Sequence, residues 1–270
     1  TGRSQKVIFW ITNTDVFTID KFLEMKVLIA DSSEKPHIIA LSEVKPKNNR
    51  TEWNKASYSL EGYNMEPHVM GNSGRGLLLY IKEEIDYNLI DMGKELVEAQ
   101  VLEIKLGRIE RLVLASVYRS PNSSLENNHQ LNNLIREIGE RYMRNHIVIA
   151  GDLNYPNINW ADMTNTSNLP DKEFQFIEAI RDSFLTQHIT LPTRGRGGTR
   201  PSLLDLILTD DMQPTPDINY HSPLGKSDHC ILQVELKIGM EVQIKNKTRL
   251  NYNKTNITRM RELLDLPWNQ

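Results

Sequence analysis

Apolar residues gather along the chain in eight short runs of high strand propensity: KVIFWI (6–11), HIIALSEV (37–44), GLLLYI (76–81), VEAQVLEIKL (97–106), RLVLASVY (111–118), HIVIAG (146–151), LLDLIL (203–208) and ILQVELKI (231–238). Runs of this length, rich in Val, Ile and Leu, predict strands. Three other stretches follow a helical period: Phe22, Met25, Leu28 and Ile29; Leu131, Leu134, Ile135, Ile138 and Tyr142; and Phe174, Ile177, Ile180 and Phe184. Segments 97–106 and 111–119 are too close in sequence for a crossover helix, so the sheets are expected to be mostly antiparallel or mixed. The expected fold class is α/β: a four-layer sandwich of two such sheets packed face to face, with helices on the outside.

Several of these runs carry polar groups where they end. Glu43 follows IIALS, Asn13 follows FWIT, and Tyr118 and Arg119 close LVLASVYR. Asp152 and Asn154 follow HIVIAG, Asp205 sits inside LLDLIL, and Asp228 and His229 precede the last run. A carboxylate beside an apolar strand is costly to desolvate unless it is paired, hydrogen-bonded or bound to a cation. Taken singly, each has an ordinary structural reading: GDxN is a common turn or helix cap, Asp205 could bond a backbone amide, and Asp228-His229 could be surface. Independent turns, however, do not place such a set beside strands from both halves of the chain. Hard oxygen ligands of this kind suit Mg²⁺, with Glu43 the foremost candidate, and a His held by a carboxylate suits proton transfer.

Composition narrows the setting. With 270 residues, 39% apolar and 25% charged, the chain can bury a sizeable core. The single cysteine, Cys230, excludes an intramolecular disulfide and argues against a secreted disulfide scaffold, so an intracellular location is expected. No run approaches the ~18 consecutive apolar residues of a membrane helix, and no signal peptide is evident. The chain starts at Thr1 without Met and is expected to be a piece of a longer one. Net charge is −3, but residues 239–270 hold six Lys/Arg against three Asp/Glu, which leaves an acidic body and a basic tail.

In order along the chain, TN, LSEVK, VYRSP, GDLN, SLLDLIL and SDH resemble the endonuclease/exonuclease/phosphatase superfamily, which contains deoxyribonuclease I and apurinic/apyrimidinic endonucleases. GRGLLLYI, VYRSPNSS, GDLNYPNINW, FLTQHITLPTR and PLGKSDH are more closely similar to the endonuclease domains of non-LTR retrotransposons. The resemblance covers about residues 6–238. It implies a domain over 1–238 and a polar basic linker over 239–270, leading toward a reverse-transcriptase region of the same polyprotein.

By that resemblance Glu43 binds Mg²⁺ (Mn²⁺ being an alternative) with Asn13 and Asp228 assisting. His229 is the catalytic histidine, held by Asp205; Asp152 positions or deprotonates the attacking water; Asn154 and Tyr118 hold the scissile phosphate. The extra histidine that deoxyribonuclease I-like enzymes carry shortly before the VYRSP strand end is missing, so leaving-group assistance should follow the apurinic-endonuclease pattern. TRGRGGTRPS (193–202) reads as a hairpin whose Arg194, Arg196 and Arg200 approach a DNA groove, with Lys45, Arg119 and Lys226 as further DNA-binding candidates and Lys47 flanking the site. The expected function is nicking of double-stranded target DNA in the nucleus, leaving a 3′-hydroxyl that primes reverse transcription, without an organic cofactor or a membrane. The alternatives are an apurinic-site repair nuclease, a phosphatase on a smaller phosphoester, or an inactive nucleic-acid-binding relative.

Overall fold

The structure, a computed structural model, describes residues 2–4, 6–46, 54–68, 74–93, 97–162, 171–195, 197–198, 200–211 and 214–242. Arg196, Lys47 and the tail beyond 242, all singled out from sequence, lie outside the described residues. Along the chain run β1 (Gly2–Ser4), β2 (Val7–Asn13), α1 (Ile19–Asp31), β3 (Ile38–Ser42), β4 (Tyr63–His68), β5 (Leu77–Lys82), β6 (Tyr87–Ile90), β7 (Glu98–Lys105) and β8 (Arg111–Tyr118). They are followed by α2 (Leu125–Arg141), β9 (His146–Asp152), α3 (Asp171–Asp182), β10 (Thr186–Gln187), β11 (Asp205–Thr209), β12 (Asp217–His221), β13 (Ile231–Leu236) and β14 (Met240–Val242).

Two six-stranded sheets result, in the orders β12-β13-β2-β3-β5-β4 and β10-β11-β9-β8-β7-β6. Each holds one parallel pair, β2/β3 and β8/β9, and the remaining neighbours are antiparallel. The parallel pairs are those joined through a helix, α1 in the first sheet and α2 in the second, as a parallel crossover requires. Alternation along each strand then divides the core. Phe9, Ile11, Leu79, Leu114, Ala150 and Leu232 pack between the sheets. Trp10, Leu78 and Tyr80 face outward onto Phe22 and Met25 of α1, while Val113, Ile147 and Ile149 face Leu134, Ile138 and Ile177 of α2 and α3. Strands covered on both faces read as nearly continuous apolar runs, which is why these were legible. The four-layer sandwich expected from the pattern is the one observed.

Three details differ from the sequence pattern. Phe174 and Phe184 do not belong to the buried stripe of α3: they are 42% and 81% exposed, whereas Phe176 is fully buried. Phe184 lies past the helix end with φ 52°, so the helical period no longer applies to it. The strands β4, β6, β10 and β12 carry no continuous apolar run; β4 (YNMEPH), β6, β10 and β12 are sheet edges or short terminal strands. Finally β14, inside the expected linker, pairs antiparallel with β1. No helix among the described residues is long and apolar enough to cross a membrane.

Candidate active site

Strand register brings the polar groups together. Asn13 ends β2 beside Ser42 of β3, Tyr118 ends β8 opposite Asp152 of β9, and Asp152 is in turn opposite Asp205, the first residue of β11. The two sheets therefore present their site residues at the same end of the sandwich. Asn13 Nδ2 donates to Asp152 Oδ2 at 2.7 Å, joining one sheet to the other. A cavity of about 170 Å³ opens there, lined by Asn13, Glu43, Asp152, Asn154, Asp228 and His229 among others. A larger cleft of about 440 Å³ lies between the β4 and β6–β7 edges; its lining, Leu89, Met92 and Val101 among it, brings no cluster of carboxylates together.

The GDLN segment shows why this local sequence is needed. Gly151 has φ +141°, and a Cβ there would stand 2.0 Å from the Val117 carbonyl oxygen, so the close approach of β9 to β8 excludes any side chain. Two residues with side chains, Glu43 (φ 52°) and Asn154 (φ 51°), also adopt left-handed backbone at their strand ends. Such conformations cost of order 1–3 kcal/mol each and persist only where the surroundings hold them. Around Asn154 that hold is visible: its Nδ2 donates to Arg119 O at 2.9 Å, and Arg119 Nη1 donates to Asn154 O at 2.8 Å.

His229 lies 4% exposed, with Nδ1 2.7 Å from Asp205 Oδ2 and Nε2 3.9 Å from both Asp152 Oδ2 and Asp228 Oδ1. Burial alone would lower its pKa; the charge and hydrogen bond of Asp205, then Asp152 and Asp228, outweigh that and push it up to about 9. Asp152, fully enclosed, is raised well above the ordinary carboxylate range by burial first and by the charge of Asp205 second. Asp152 and His229 thus titrate as parts of one unit. Burial would also raise Asp228, but Arg194, whose Nε donates to Oδ2 at 2.8 Å, holds it below its usual value. Burial and the neighbouring Glu43 raise Tyr118, which stays protonated and donates to Glu43 Oε1 at 2.5 Å.

Could these residues hold a cation? Asp152, Asp205 and His229 each offer a ligand atom within 4.8 Å of the others. Asp152 Oδ1 and Asp205 Oδ1 are buried and have no hydrogen-bond partner among the described residues, the condition in which a carboxylate oxygen calls for an ion or a water. Asn13 Oδ1, which accepts from Asp15 N at 2.9 Å, and the Glu43 carboxylate add hard oxygen donors on the same cavity. The donor set fits a hard divalent metal. Among the described residues, this cluster of Asp152, Asp205 and His229 is a different set from the trio of Glu43, Asn13 and Asp228 that the resemblance implied.

Two DNA-binding expectations need correction. Arg119 is 1% exposed: Nε donates to Asn128 Oδ1 at 2.7 Å and the guanidinium lies 4.1 Å from the Tyr155 ring centre, so it braces the GDLN segment from within. Lys45 is 7% exposed, which leaves it little surface for a phosphate. Lys226 and Arg200 are exposed. Among the described residues of TRGRGGTRPS, reciprocal backbone bonds pair Arg194 with Ser202.

The sequence reading missed several supporting groups. Arg75 forms an ion pair with Glu43 Oε2. Ser227 Oγ donates to Asn13 O at 2.7 Å and accepts from His229 N at 3.3 Å. Thr193 Oγ1 accepts from Asp205 N at 3.0 Å. Their neighbours SDH and TRGRG marked Ser227 and Thr193 by position alone, and nothing local marked Arg75.

Comparison with known proteins agrees with this geometry. Residues 112–233 match the sequence pattern of a family described as endonuclease-reverse transcriptase. Comparison with curated protein sequences gives no significant match. Among solved structures, the chain is similar to the AP endonuclease LMAP from Leishmania major (TM-score 0.66, 14% identity, 86% of this chain and 88% of that one). It is similar also to the endonuclease domain of TRAS1, a telomere-specific non-LTR retrotransposon (TM-score 0.62, 16% identity, 86% and 99%). A third is D. rerio TDP2 complexed with single-strand DNA product (TM-score 0.54, 14% identity, 86% and 99%). The chain therefore shares the two-sheet fold of the AP endonuclease LMAP and of the TRAS1 endonuclease domain, and its residues 112–233 carry the endonuclease-reverse transcriptase pattern.

Proposed function

We propose that the chain is a Mg²⁺-dependent endonuclease that hydrolyses a phosphodiester of double-stranded DNA and leaves a 3′-hydroxyl to prime reverse transcription. The observation that carries this reading is the His229–Asp205 hydrogen bond beside Asp152 and Glu43 on one cavity. Glu43, with Asn13 and Asp228, would hold the metal, which when bound supplies Lewis-acid stabilisation of charge on phosphate oxygens. Asp152, with its raised proton affinity and a free oxygen, orients a water and takes its proton. His229, protonated and fixed by Asp205, stabilises negative charge on the phosphate. The Asn154 amide supplies a neutral donor on the cavity, while Tyr118 Oη, which donates to Glu43, holds that carboxylate beside the phosphate. The hairpin at Arg194 and Arg200 meets the DNA backbone, and a reverse-transcriptase region of the same polyprotein extends the primed end in the nucleus.

The test is incubation with supercoiled plasmid, Mg²⁺ against EDTA, alongside duplexes with and without an abasic site. Metal-dependent nicks that a polymerase extends directly support the reading. Cleavage confined to the abasic duplex would assign the chain to repair instead, and no cleavage of any substrate would remove the nuclease assignment.

A further inference from the structure

Both carboxylate oxygens of Glu43 are already engaged by the protein. Tyr118 Oη donates to Oε1, and the Arg75 guanidinium pairs with Oε2. Arg75 is not a loose surface side chain that happens to reach this carboxylate, for its side chain is 18% exposed and its backbone is pinned from two sides. The Glu98 carboxylate accepts from Arg75 N at 2.9 Å and from Gly76 N at 2.6 Å, and Arg75 O accepts from Lys45 N at 3.0 Å. Glu98 is the register partner of Tyr118 across β7 and β8. Glu43, Tyr118, Glu98 and Arg75 thus form a closed ring that ties the end of β3 to the second sheet. The same Nη2 that pairs with Glu43 also lies 3.4 Å from Asp15 Oδ1, a residue that lines the cavity.

We propose that Arg75 is a positioning residue that couples metal binding to DNA binding, by occupying Glu43 in the free protein and leaving it for a backbone phosphate of the DNA. This rests on the reading of Glu43 as a metal-holding carboxylate. A guanidinium on Glu43 Oε2 opposes a divalent cation in two ways: it uses a lone pair the cation would take, and it adds positive charge at contact range. A phosphate arriving at the cavity offers Arg75 a bidentate partner of the geometry guanidinium prefers. Once Arg75 has turned to that phosphate, Glu43 is released. Each ligand then raises the affinity for the other by the same factor, as linkage requires. Free metal is bound poorly and DNA-bound protein loads readily, so the hydrolytic site is assembled on its substrate.

The experiment is direct titration with Mn²⁺, counting free ion by electron paramagnetic resonance, for wild type and for Arg75→Gln. Each is measured alone and with a saturating phosphorothioate duplex, with Glu43→Gln defining the binding that belongs to this carboxylate. Without DNA, Arg75→Gln should bind Mn²⁺ roughly tenfold more tightly, the size expected for removing one charge at such range. With DNA the difference should largely vanish. Arg75→Lys, which keeps the charge, should stay near wild type in the absence of DNA. Arg75→Met serves as a second neutral variant should Arg75→Gln not fold. Equal or weaker Mn²⁺ affinity of the neutral variants without DNA overturns the coupling role while leaving the metal site intact. If wild type with the duplex bound shows no Mn²⁺ binding that Glu43→Gln removes, the metal-site reading fails first and the coupling with it.

Discussion

Asp152 and Asp205 are direct register partners on β9 and β11, both about 1% exposed, and His229 is the cation that makes this pairing tenable. Two carboxylates facing each other in a buried place cannot both ionise without compensation. The imidazole bonded to Asp205 and the Asn13 amide bonded to Asp152 provide it. Nothing in a single strand specifies this arrangement. It is produced when an antiparallel register sets one strand's last residue against the other's first.

Asp205→Asn and His229→Ala should each slow single-turnover cleavage by roughly 10²–10⁴-fold, the usual range for a positioned acid–base group. The double variant should be little worse than the more damaged single, because either change already dismantles the pair. Multiplication of the two defects would show that they act separately.

Glu43→Ala is expected to lose plasmid nicking by about a thousandfold or more, since metal stabilisation of the transition state contributes several kcal/mol. Its circular dichroism should stay that of the folded protein. The variant also leaves Arg75 and the Tyr118 hydroxyl without their carboxylate, so a modest fall in Tm is expected beside the loss of activity. Nicking at the parent's rate would remove Glu43 from the site.

Arg119→Ala tests the corrected placement of that residue. It strips partners from Asn128 Oδ1 and from the Asn154 carbonyl in a place without water access, which should destabilise the fold by about 3 kcal/mol. If Arg119 braces Asn154 from within, as its burial indicates, the salt dependence of DNA binding measured below the melting transition should not change. A flattened slope would return Arg119 to the DNA surface.

Acid stability has an identifiable contributor away from the site. His37 Nδ1 accepts from Ile8 N at 3.0 Å, and burial, then the charge of Lys82, lowers its pKa to about 4. The unfolded chain takes up this proton near pH 6.5, while the folded protein does not until about pH 4. Stability is therefore fully present above pH 6.5 and falls as pH drops through that window, by about 3 kcal/mol at its lower end. Chemical denaturation at pH 7 and pH 4 should show this loss in wild type and a smaller one in His37→Gln. Equal losses in both would assign the acid sensitivity to other groups.

How much of this could be read from the chain follows from where each signal resides. Carboxylates that interrupt or end apolar runs announce themselves, so Glu43, Asp152 and Asp205 were legible, and the apolar runs carried the fold. Arg75 was not, because its role depends on a backbone grip by Glu98 from another strand. Arg119 was misjudged for a related reason: an arginine after a strand is usually solvated, and its burial here requires Asn128 from α2 and the Tyr155 ring. The α3 stripe held at Ile177 and Ile180 but not at its ends: Phe184 lies past the helix, and Phe176 rather than Phe174 faces the core. Edge strands such as β4 face one sheet neighbour and need no continuous apolar run, so pattern alone did not find them.

The hairpin at TRGRGGTRPS supplies the last prediction. Arg194 is held to Asp228 by its Nε while its side chain remains 48% exposed, and Arg200 is exposed on the far limb. Gly195 N donates to Asp228 O at 2.9 Å, so the base of the hairpin is tied to the residue before His229. If the hairpin lies on DNA, Arg194→Ala together with Arg200→Ala should weaken binding and flatten its salt dependence, each lost phosphate contact removing roughly 0.9 from the log–log slope. The chemistry should respond less, although Arg194→Ala also releases Asp228 from the partner that holds its proton affinity down. Arg200→Ala alone separates these effects: it should change the slope without touching Asp228. Because groove shape and deformability carry specificity without base contacts, the positions of nicks along a plasmid should shift more than the limiting rate at saturating DNA. Primer extension on the same plasmid reads those positions. Unchanged sites with an unchanged salt slope in both variants would leave the hairpin a solvated loop tied to Asp228.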